Sequence, residues 1–109
     1  MAMLDSHRPG DAEHMAFSAE IWQHPGNGGW HFITLPADLA DETRARTAAL
    51  RRPFGSVAVR ATIGATSWST SIFADRESGS YLLPVKADVR RREGVRAGDT
   101  VTVSLGLPA

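Results

Sequence analysis

The sequence predicts a small, mostly β domain: a barrel of about six or seven strands with two short helices and an internal repeat. Three observations predict it. Apolar and polar residues alternate along several segments, which is typical of half-buried strands. Turns rich in glycine or proline separate these segments, and two stretches carry the signals of a helix. The length of 109 residues fits one domain and leaves no room for a second.

The first half of the chain predicts a hairpin that follows a polar tail. Residues 1–14 are polar and contain a Pro-Gly pair, so we expect a flexible N-terminal tail ahead of a single domain of residues 15–109. Alternation from Met15 to Trp22 predicts the first strand. Three glycines and one proline in residues 24–29 predict a turn, and the aromatic and β-branched residues of 30–35 predict the second strand.

A helix is predicted to begin at Pro36. Its acidic residues come first and its arginines last, an order that complements the helix macrodipole, and Glu42 forms an i,i+4 pair with Arg46. Pro53 and Gly55 are expected to end the helix. Because the dipole explains the acidic residues, they predict no acid–base catalysis.

The second half predicts four strands and a short helix. Residues 56–63 and 66–74 alternate on either side of a Gly-Ala turn and predict a second hairpin, and residues 80–85 predict the next strand. A helix over 86–93 is expected to end at Gly94 in the left-handed conformation. Alternation over residues 100–107 predicts the last strand.

One supersecondary unit occurs twice in the sequence. In each copy a strand is followed by Leu-Pro, a helix, a glycine turn and an alternating strand, starting at Leu35-Pro36 and at Leu83-Pro84. Proline suits this place because it ends a strand ladder and is tolerated in the first turn of a helix. Neither unit can bury its apolar face alone. The repeat therefore predicts a barrel that pairs both units about a pseudo-two-fold axis within one chain, and hence a monomer.

Composition excludes several classes of function. The chain has no cysteine, which excludes disulfides, thiolate nucleophiles and zinc fingers. No apolar run approaches the ~18 residues of a membrane span, and the N-terminus lacks a signal-peptide core, so we expect a cytoplasmic domain without membrane contact. The glycine-rich turn does not match a dinucleotide motif, and no serine lies in a nucleophile elbow. No cofactor and no catalytic residue are predicted.

Charge is unevenly distributed, although the formal net charge is zero. Residues 1–50 carry seven acids and three arginines, whereas residues 51–109 carry five acids, eight arginines and one lysine. Arginine matches phosphate oxygens with its planar fork, which leaves nucleic-acid binding as an alternative function. The phosphate contacts would then be Arg60, Arg90, Arg91, Arg92 and Arg96. Zero net charge disfavours this alternative, because nucleic-acid-binding domains usually have a positive excess.

Polar side chains near the predicted turns and helices are the candidates for ligand contacts. His24 and His31 flank the glycine-rich turn, but no zinc spacing fits them, and no metal site is predicted. Lys86 and Arg90 lie on one face of the second helix. They either clamp an anion or pair with acids such as Asp99 or Glu20.

The aromatic residues are numerous for so small a chain. They either fill the barrel or line a pocket at its mouth. The set consists of Trp22, Trp30, Trp68 and Tyr81.

Several segments resemble the DUF1905 family. These are residues 17–22, 30–36, 56–63 and 68–73 and, most specifically, the block LP-x-K-x3-R-x3-G-x3-GD at 83–99. The resemblance covers about residues 15–107. It implies a double-split β-barrel, the architecture shared with the AbrB/MazE group of DNA-binding proteins. The family has no established activity, so the resemblance implies a fold and no reaction.

Taken together, these observations predict a non-enzymatic binding module. It would hold a small anionic or aromatic ligand, or a protein partner, at the mouth of the barrel. The predicted contacts are Trp30, His31, Trp68, Lys86 and Arg90.

Overall fold

The computed structural model describes residues 14–26, 28–48 and 55–107. The strands are β1 (His14–Glu20), β2 (Trp22–Gln23), β3 (His31–Thr34), β4 (Ser56–Ile63), β5 (Thr66–Asp75), β6 (Ser80–Pro84) and β7 (Thr100–Gly106). The helices are α1 (Ala37–Thr47) and α2 (Ala87–Glu93). Of the predicted tail, residues 1–13 lie outside the described residues, and His14 already belongs to β1. Pro53, the expected helix end, also lies outside them.

All seven strands form one antiparallel sheet in the order β1-β7-β4-β5-β6-β3-β2. The strands at its two ends, β1 and β2, are separated in the chain by Ile21 alone, so the sheet curls back onto its own first strand. The backbone of Ile21 leaves the ladder there: its N–H donates to the carbonyl of Asp99 at 2.9 Å, and its carbonyl accepts from Gly98 at 2.8 Å. The predicted first strand is thus divided into two.

Two long strands are each shared between two partners. The β1–β2 segment pairs with β7 along its first part and with β3 along its last part. Strand β5 pairs with β4 and then with β6, and Phe73 takes part in both ladders. This sharing defines a double-split arrangement, and it confirms the predicted fold class: seven antiparallel strands in a small barrel-like sheet with two short helices.

The internal repeat is present in the strand pairing. Exchanging β1–β2 with β5, β3 with β6 and β4 with β7 leaves the set of paired strands unchanged. Where β3 meets β6, the N–H of Leu35 donates to Tyr81 and the N–H of Val85 donates to His31, both at 3.0 Å. Counterparts in these two bonds lie 50 positions apart, as do the first residues of α1 and α2. A pseudo-two-fold axis therefore relates the halves.

The structure corrects the register of this repeat by two residues. The sequence similarity aligns Pro36 with Pro84, whereas the 50-residue relation makes Lys86 the counterpart of Pro36. The two prolines have different roles. Pro36 directly precedes α1, but Pro84 still belongs to β6, where it pairs with Phe32, and two more residues separate it from α2.

The core lies on the inner face of the curled sheet. Period-two alternation in β1, β4 and β7 points every second residue inward, as predicted. Each large apolar side chain that is fully buried contributes about 1.5–3 kcal/mol relative to exposure. The largest fully buried apolar residues are Ile21, Ile33, Leu35, Ile72, Leu83, Val103 and Leu105.

The two helices cover one part of the barrel each and are short. Helix α1 buries Ala40 and Thr43, and the hydroxyl of Thr43 donates to the carbonyl of Leu39 at 2.7 Å. Helix α2 buries Val89 and ends at Gly94, whose φ of 65° confirms the expected left-handed cap. In the part of the chain that the structure describes, no helix has the length and apolar character needed to cross a membrane.

Candidate functional site

A pocket of about 270 Å³ lies where β3 begins and β6 ends. One wall is the loop between β2 and β3, and the opposite wall is the start of α2. Four of the five residues predicted to contact a ligand meet here, namely Trp30, His31, Lys86 and Arg90. The antiparallel pairing of β3 with β6 brings the two segments together, because the first residues of β3 lie opposite the last residues of β6.

Two glycines shape the loop wall. Gly28 has a φ of 93° and Gly29 a φ of 63°, a region of backbone conformation that glycine adopts at little cost. The N–H of His24 donates to the carbonyl of Trp30 at 2.8 Å and closes the loop. The loop therefore returns to β3 through Trp30, whose side chain is 58% exposed.

The exposed Trp30 is held by other aromatic rings. Its ring is stacked on Phe32 with centroids 6.0 Å apart and planes 8° from parallel. Phe32 in turn contacts Trp22 at 5.3 Å and the edge of His24 at 6.4 Å. The Nε1–H of Trp22 donates to the hydroxyl of Thr34 at 2.9 Å, which fixes this cluster to the sheet. Trp30 is thus exposed and also ordered by stacking.

His31 turns one ring nitrogen towards the loop. Its Nδ1 lies 2.6 Å from the carbonyl oxygen of Gly29. A carbonyl only accepts hydrogen bonds, so Nδ1 carries the proton of this bond. Within the described residues, no three His, Asp or Glu side chains lie close enough together to hold a metal ion.

Lys86 and Arg90 bring positive charge to the pocket without a neutralising acid. The Nε–H of Arg90 donates to the carbonyl of Val85 at 3.3 Å, which leaves the four N–H groups on its two terminal nitrogens for other partners. Neither cation forms an ion pair with a described residue, so the predicted pairs with Asp99 and Glu20 are absent. The carboxylate of Asp99 instead accepts from the backbone N–H of Arg96 at 2.9 Å.

The pseudo-symmetric place in the other half contains no comparable set of side chains. The counterpart of His31 is Tyr81, which is only 5% exposed. The counterpart of Trp30 is Ser80, a buried residue whose hydroxyl donates to the carbonyl of Leu35 at 2.7 Å. Pro36 and the buried Ala40 stand where the pocket has its two cations. The fold therefore does not require a pocket with two cations at this junction.

Trp68 does not join the other predicted contacts. It lies on the inner face of β5 and is buried in the core. Its Nε1–H has no hydrogen-bond partner among the residues that the structure describes. The structure thus separates the aromatic residues into core residues, Trp68 and Tyr81, and residues of the outer face or the loop, Trp22 and Trp30.

The arginines of the nucleic-acid alternative are only partly brought together. Arg90, Arg91 and Arg96 line a shallow depression of about 420 Å³ beside α2. Arg91 also lies 3.5 Å from the carboxylate of Asp88. Arg92 does not line this depression, and Arg60 donates to the hydroxyl of Ser69 on the outer face of β4 and β5 at 3.2 Å.

Sequence reasoning missed an apolar groove next to the pocket. The groove has a volume of about 350 Å³ on the outer face of the sheet. It is lined by His24, Trp30, Phe32, Phe73 and Leu82. The available signal was the outward position of Phe73 and Leu82 in their strands, where polar residues are the norm.

These features define a small antiparallel β-barrel-like domain with a pocket that combines aromatic and cationic side chains. The family model described as "Domain of unknown function (DUF1905)" matches residues 17–105, and the chain belongs to this family. The match confirms the resemblance found in the sequence. A search of curated proteins gave no match.

Proposed function

We propose that this domain is a non-enzymatic module that binds a small anionic ligand with an aromatic or other apolar part. The observation that carries the proposal is the meeting of Lys86, Arg90 and the exposed Trp30 in one pocket, where neither cation forms an ion pair with a described residue. Two cations that line one pocket repel each other, and an anion bound between them reduces this repulsion. A bound carboxylate or phosphate oxygen would receive charge-assisted hydrogen bonds from both.

Size and lining chemistry support a small ligand. The volume of about 270 Å³ lies just below the range of roughly 300–1,000 Å³ that is typical of drug-sized ligands. One or two rings fit this space better than a nucleotide. The described lining residues include no acidic side chain, so a carboxylate or phosphate of the ligand can pair with the two cations without competition from the lining.

The internal repeat supplies a further argument. The counterpart of Arg90 in the first helix is Ala40, so the fold already accepts alanine at this helical position. An arginine there forms one hydrogen bond with a described residue and lines the pocket, where its terminal N–H groups can donate to a ligand. Such an arrangement supports a role of Arg90 in binding rather than in folding.

The test uses benzoate as the anionic probe and benzamide as its neutral analogue. Lys86 is the only lysine of the chain, so reductive ¹³C-methylation gives a single side-chain reporter in the pocket besides the α-amino group. We expect benzoate to shift this resonance saturably and benzamide to leave it unchanged. Arg90→Ala should weaken benzoate binding by about tenfold or more, because charge-assisted hydrogen bonds contribute roughly 1.5–3 kcal/mol each.

A neighbouring arginine provides the matched control. Arg91→Ala removes the same charge one residue later, where the guanidinium pairs with Asp88 outside the pocket, and should preserve benzoate affinity. Both variants should melt within about two degrees of the wild type, as expected for surface substitutions. Equal binding of benzamide, or full binding by Arg90→Ala, would contradict the proposal.

Nucleic-acid binding is the second candidate. It is favoured by the convergence of Arg90, Arg91 and Arg96 on one depression. The test is fluorescence anisotropy with random-sequence duplex DNA at about 50 and 200 mM salt, because phosphate contacts weaken steeply with salt. Binding at low salt that collapses at high salt would support this candidate. We expect no binding, since Arg91 is paired and Arg60 and Arg92 lie apart from the depression.

A further inference from the structure

The apolar groove has an unusual composition for an outer sheet face. Among residues 14–26, 28–48 and 55–107, Trp30 and Phe73 are the large hydrophobic side chains that remain exposed, at 58% and 43%. Both line this one groove, together with Leu82 from the strand beside Phe73. Exposed apolar residues that are gathered in one place, instead of being scattered, mark a binding surface.

The groove is continuous with the cationic pocket through Trp30, which lines both. The next two residues separate the two spaces: His31 faces the pocket, and Phe32 faces the groove, because neighbouring residues of a strand point to opposite faces. Trp30 therefore forms the rim between them. The pocket side of this rim carries Lys86 and Arg90, and the described groove side carries no Lys, Arg, Asp or Glu.

We propose that the ligand is an elongated amphiphilic acid that crosses this rim. Its carboxylate is held by Lys86 and Arg90, its chain passes over the ring of Trp30, and its apolar end lies in the groove against Phe73 and Leu82. This inference rests on the proposed anion-binding function and specifies the ligand class. The charge of the pocket selects the head, and continuity through Trp30 assigns the groove to the tail of the same molecule.

The proposal predicts a chain-length dependence. Each methylene that moves from water into the groove should raise affinity by roughly three- to fourfold until the groove is full. A ligand confined to the pocket would show no such rise. The probes are phenylacetate, phenylpropionate, phenylbutyrate and phenylhexanoate, titrated calorimetrically into the full chain, with the amide of each acid as the uncharged control.

The matched variants lie on one strand. Phe73→Thr replaces the exposed ring with a smaller residue that suits a strand, and Ser69→Thr changes an exposed residue on the same outer face of β5, outside the groove. We expect Phe73→Thr to abolish the rise with chain length while it leaves phenylacetate affinity unchanged. Ser69→Thr should behave as the wild type.

A second measurement keeps the proposal testable if Phe73→Thr does not fold. In the wild type, nuclear Overhauser effects should connect the phenyl protons of bound phenylhexanoate with the methyl groups of Leu82. The protons next to the carboxylate should show effects to the ¹³C-methyl groups on Lys86. Contacts of the phenyl ring with the pocket alone would overturn the inference.

The outcomes separate the inference from the function on which it rests. Carboxylate-dependent binding with equal affinity along the series would overturn the amphiphile and leave anion binding intact. Absence of binding to every acid would overturn both. A concentration-dependent dimer that Phe73→Thr abolishes would show that a second copy covers the groove, which also overturns the inference. An affinity that rises equally in Phe73→Thr would place the tail elsewhere.

Discussion

The two halves of the barrel share one strand-pairing scheme and differ at the junction between strand and helix. In the second-half hairpin, Tyr81 is buried beneath Arg44, whose guanidinium carbon lies 6.0 Å from the ring centroid. Arg44 has hydrogen-bond partners within the protein: it donates to the carbonyl of Gly79 at 3.1 Å and to the carboxylate of Asp41 at 2.6 Å. In the other hairpin, the smaller His31 takes the place of Tyr81, and Arg90, which lines the same pocket as His31, forms no ion pair with a described residue.

The two hairpin turns, between β2 and β3 and between β5 and β6, also differ in length and in their hydrogen bonds. Gly29 and Gly79 are counterparts with φ values of 63° and 72°, so both turns pass through one unusual backbone conformation. In the β5–β6 turn, the Asp75 carboxylate accepts from the N–H and the hydroxyl of Ser78, at 3.0 and 2.7 Å. The β2–β3 loop is longer and places Trp30 at the rim. The comparison teaches that a buried tyrosine and a paired arginine close one junction between strand and helix, whereas the other junction keeps a pocket.

The largest expected effects on stability concern the core residues that the two halves share. Ile33 and Leu83 pair with each other across the β3–β6 ladder and are both fully buried counterparts. Ile33→Ala and Leu83→Ala should each lower the free energy of unfolding by about 2–5 kcal/mol, through lost burial and the cavity left behind. Urea unfolding with a shared slope measures this. A cost below about 1 kcal/mol for only one of them would show that the halves do not share one core.

The strands and helices were predictable from the sequence because they depend on local patterns. The division of the first strand at Ile21 was not, because it results from backbone bonds with Gly98 and Asp99 at the far end of the chain. Similarity of Leu-Pro pairs located the repeat but misplaced its register, since proline can either end a strand or begin a helix.

The positions of the predicted contact residues likewise depend partly on local pattern and partly on tertiary pairing. Helical spacing placed Lys86 and Arg90 on one face, and the glycine-rich turn drew attention to Trp30 and His31. The two pairs of residues meet only because β3 pairs with β6, which the local sequence does not reveal. Trp68 was included because an aromatic residue can either fill the barrel or line its mouth, and the sequence does not distinguish these two positions. The groove was missed because its lining comes from three strands and a loop, and the outward positions of Phe73 and Leu82 define one surface only when β5 and β6 are paired.

An exchange of counterparts at the junction should have the next largest effect. Tyr81→His places at position 81 the side chain that its counterpart His31 has in the other half. The change removes buried aromatic surface and the ring beneath Arg44. We expect a loss of about 2–3 kcal/mol of unfolding free energy, as for other large-to-small core changes. Thermal and urea unfolding measure it.

The reciprocal change, His31→Tyr, should fill the pocket, as Tyr81 fills the corresponding place in the other half. Unfolding free energy should stay within about 1 kcal/mol of the wild type, while benzoate affinity falls by tenfold or more because the ring occupies the ligand's space. His31→Gln is the control that keeps a polar side chain of modest size. Preserved benzoate binding in His31→Tyr would show that the difference between the halves has no bearing on ligands.

The smallest expected effect lies in the tight turn between β5 and β6. The Ser78 hydroxyl, followed by its backbone N–H, donates to the Asp75 carboxylate and lowers the pKa of that group. A folded pKa below the unfolded one stabilises the protein above the unfolded value, and this stabilisation disappears as pH falls through the folded pKa. Asp75→Asn should therefore lower the free energy of unfolding by less than about 1 kcal/mol at neutral pH, because the carboxylate is exposed, and should have no effect in strong acid.

Urea unfolding between neutral and acidic pH measures the difference, with Glu77→Gln in the same turn as the control. If the free energy of unfolding of the wild type and of Asp75→Asn changed in parallel with pH, the turn would stabilise the protein through its backbone alone.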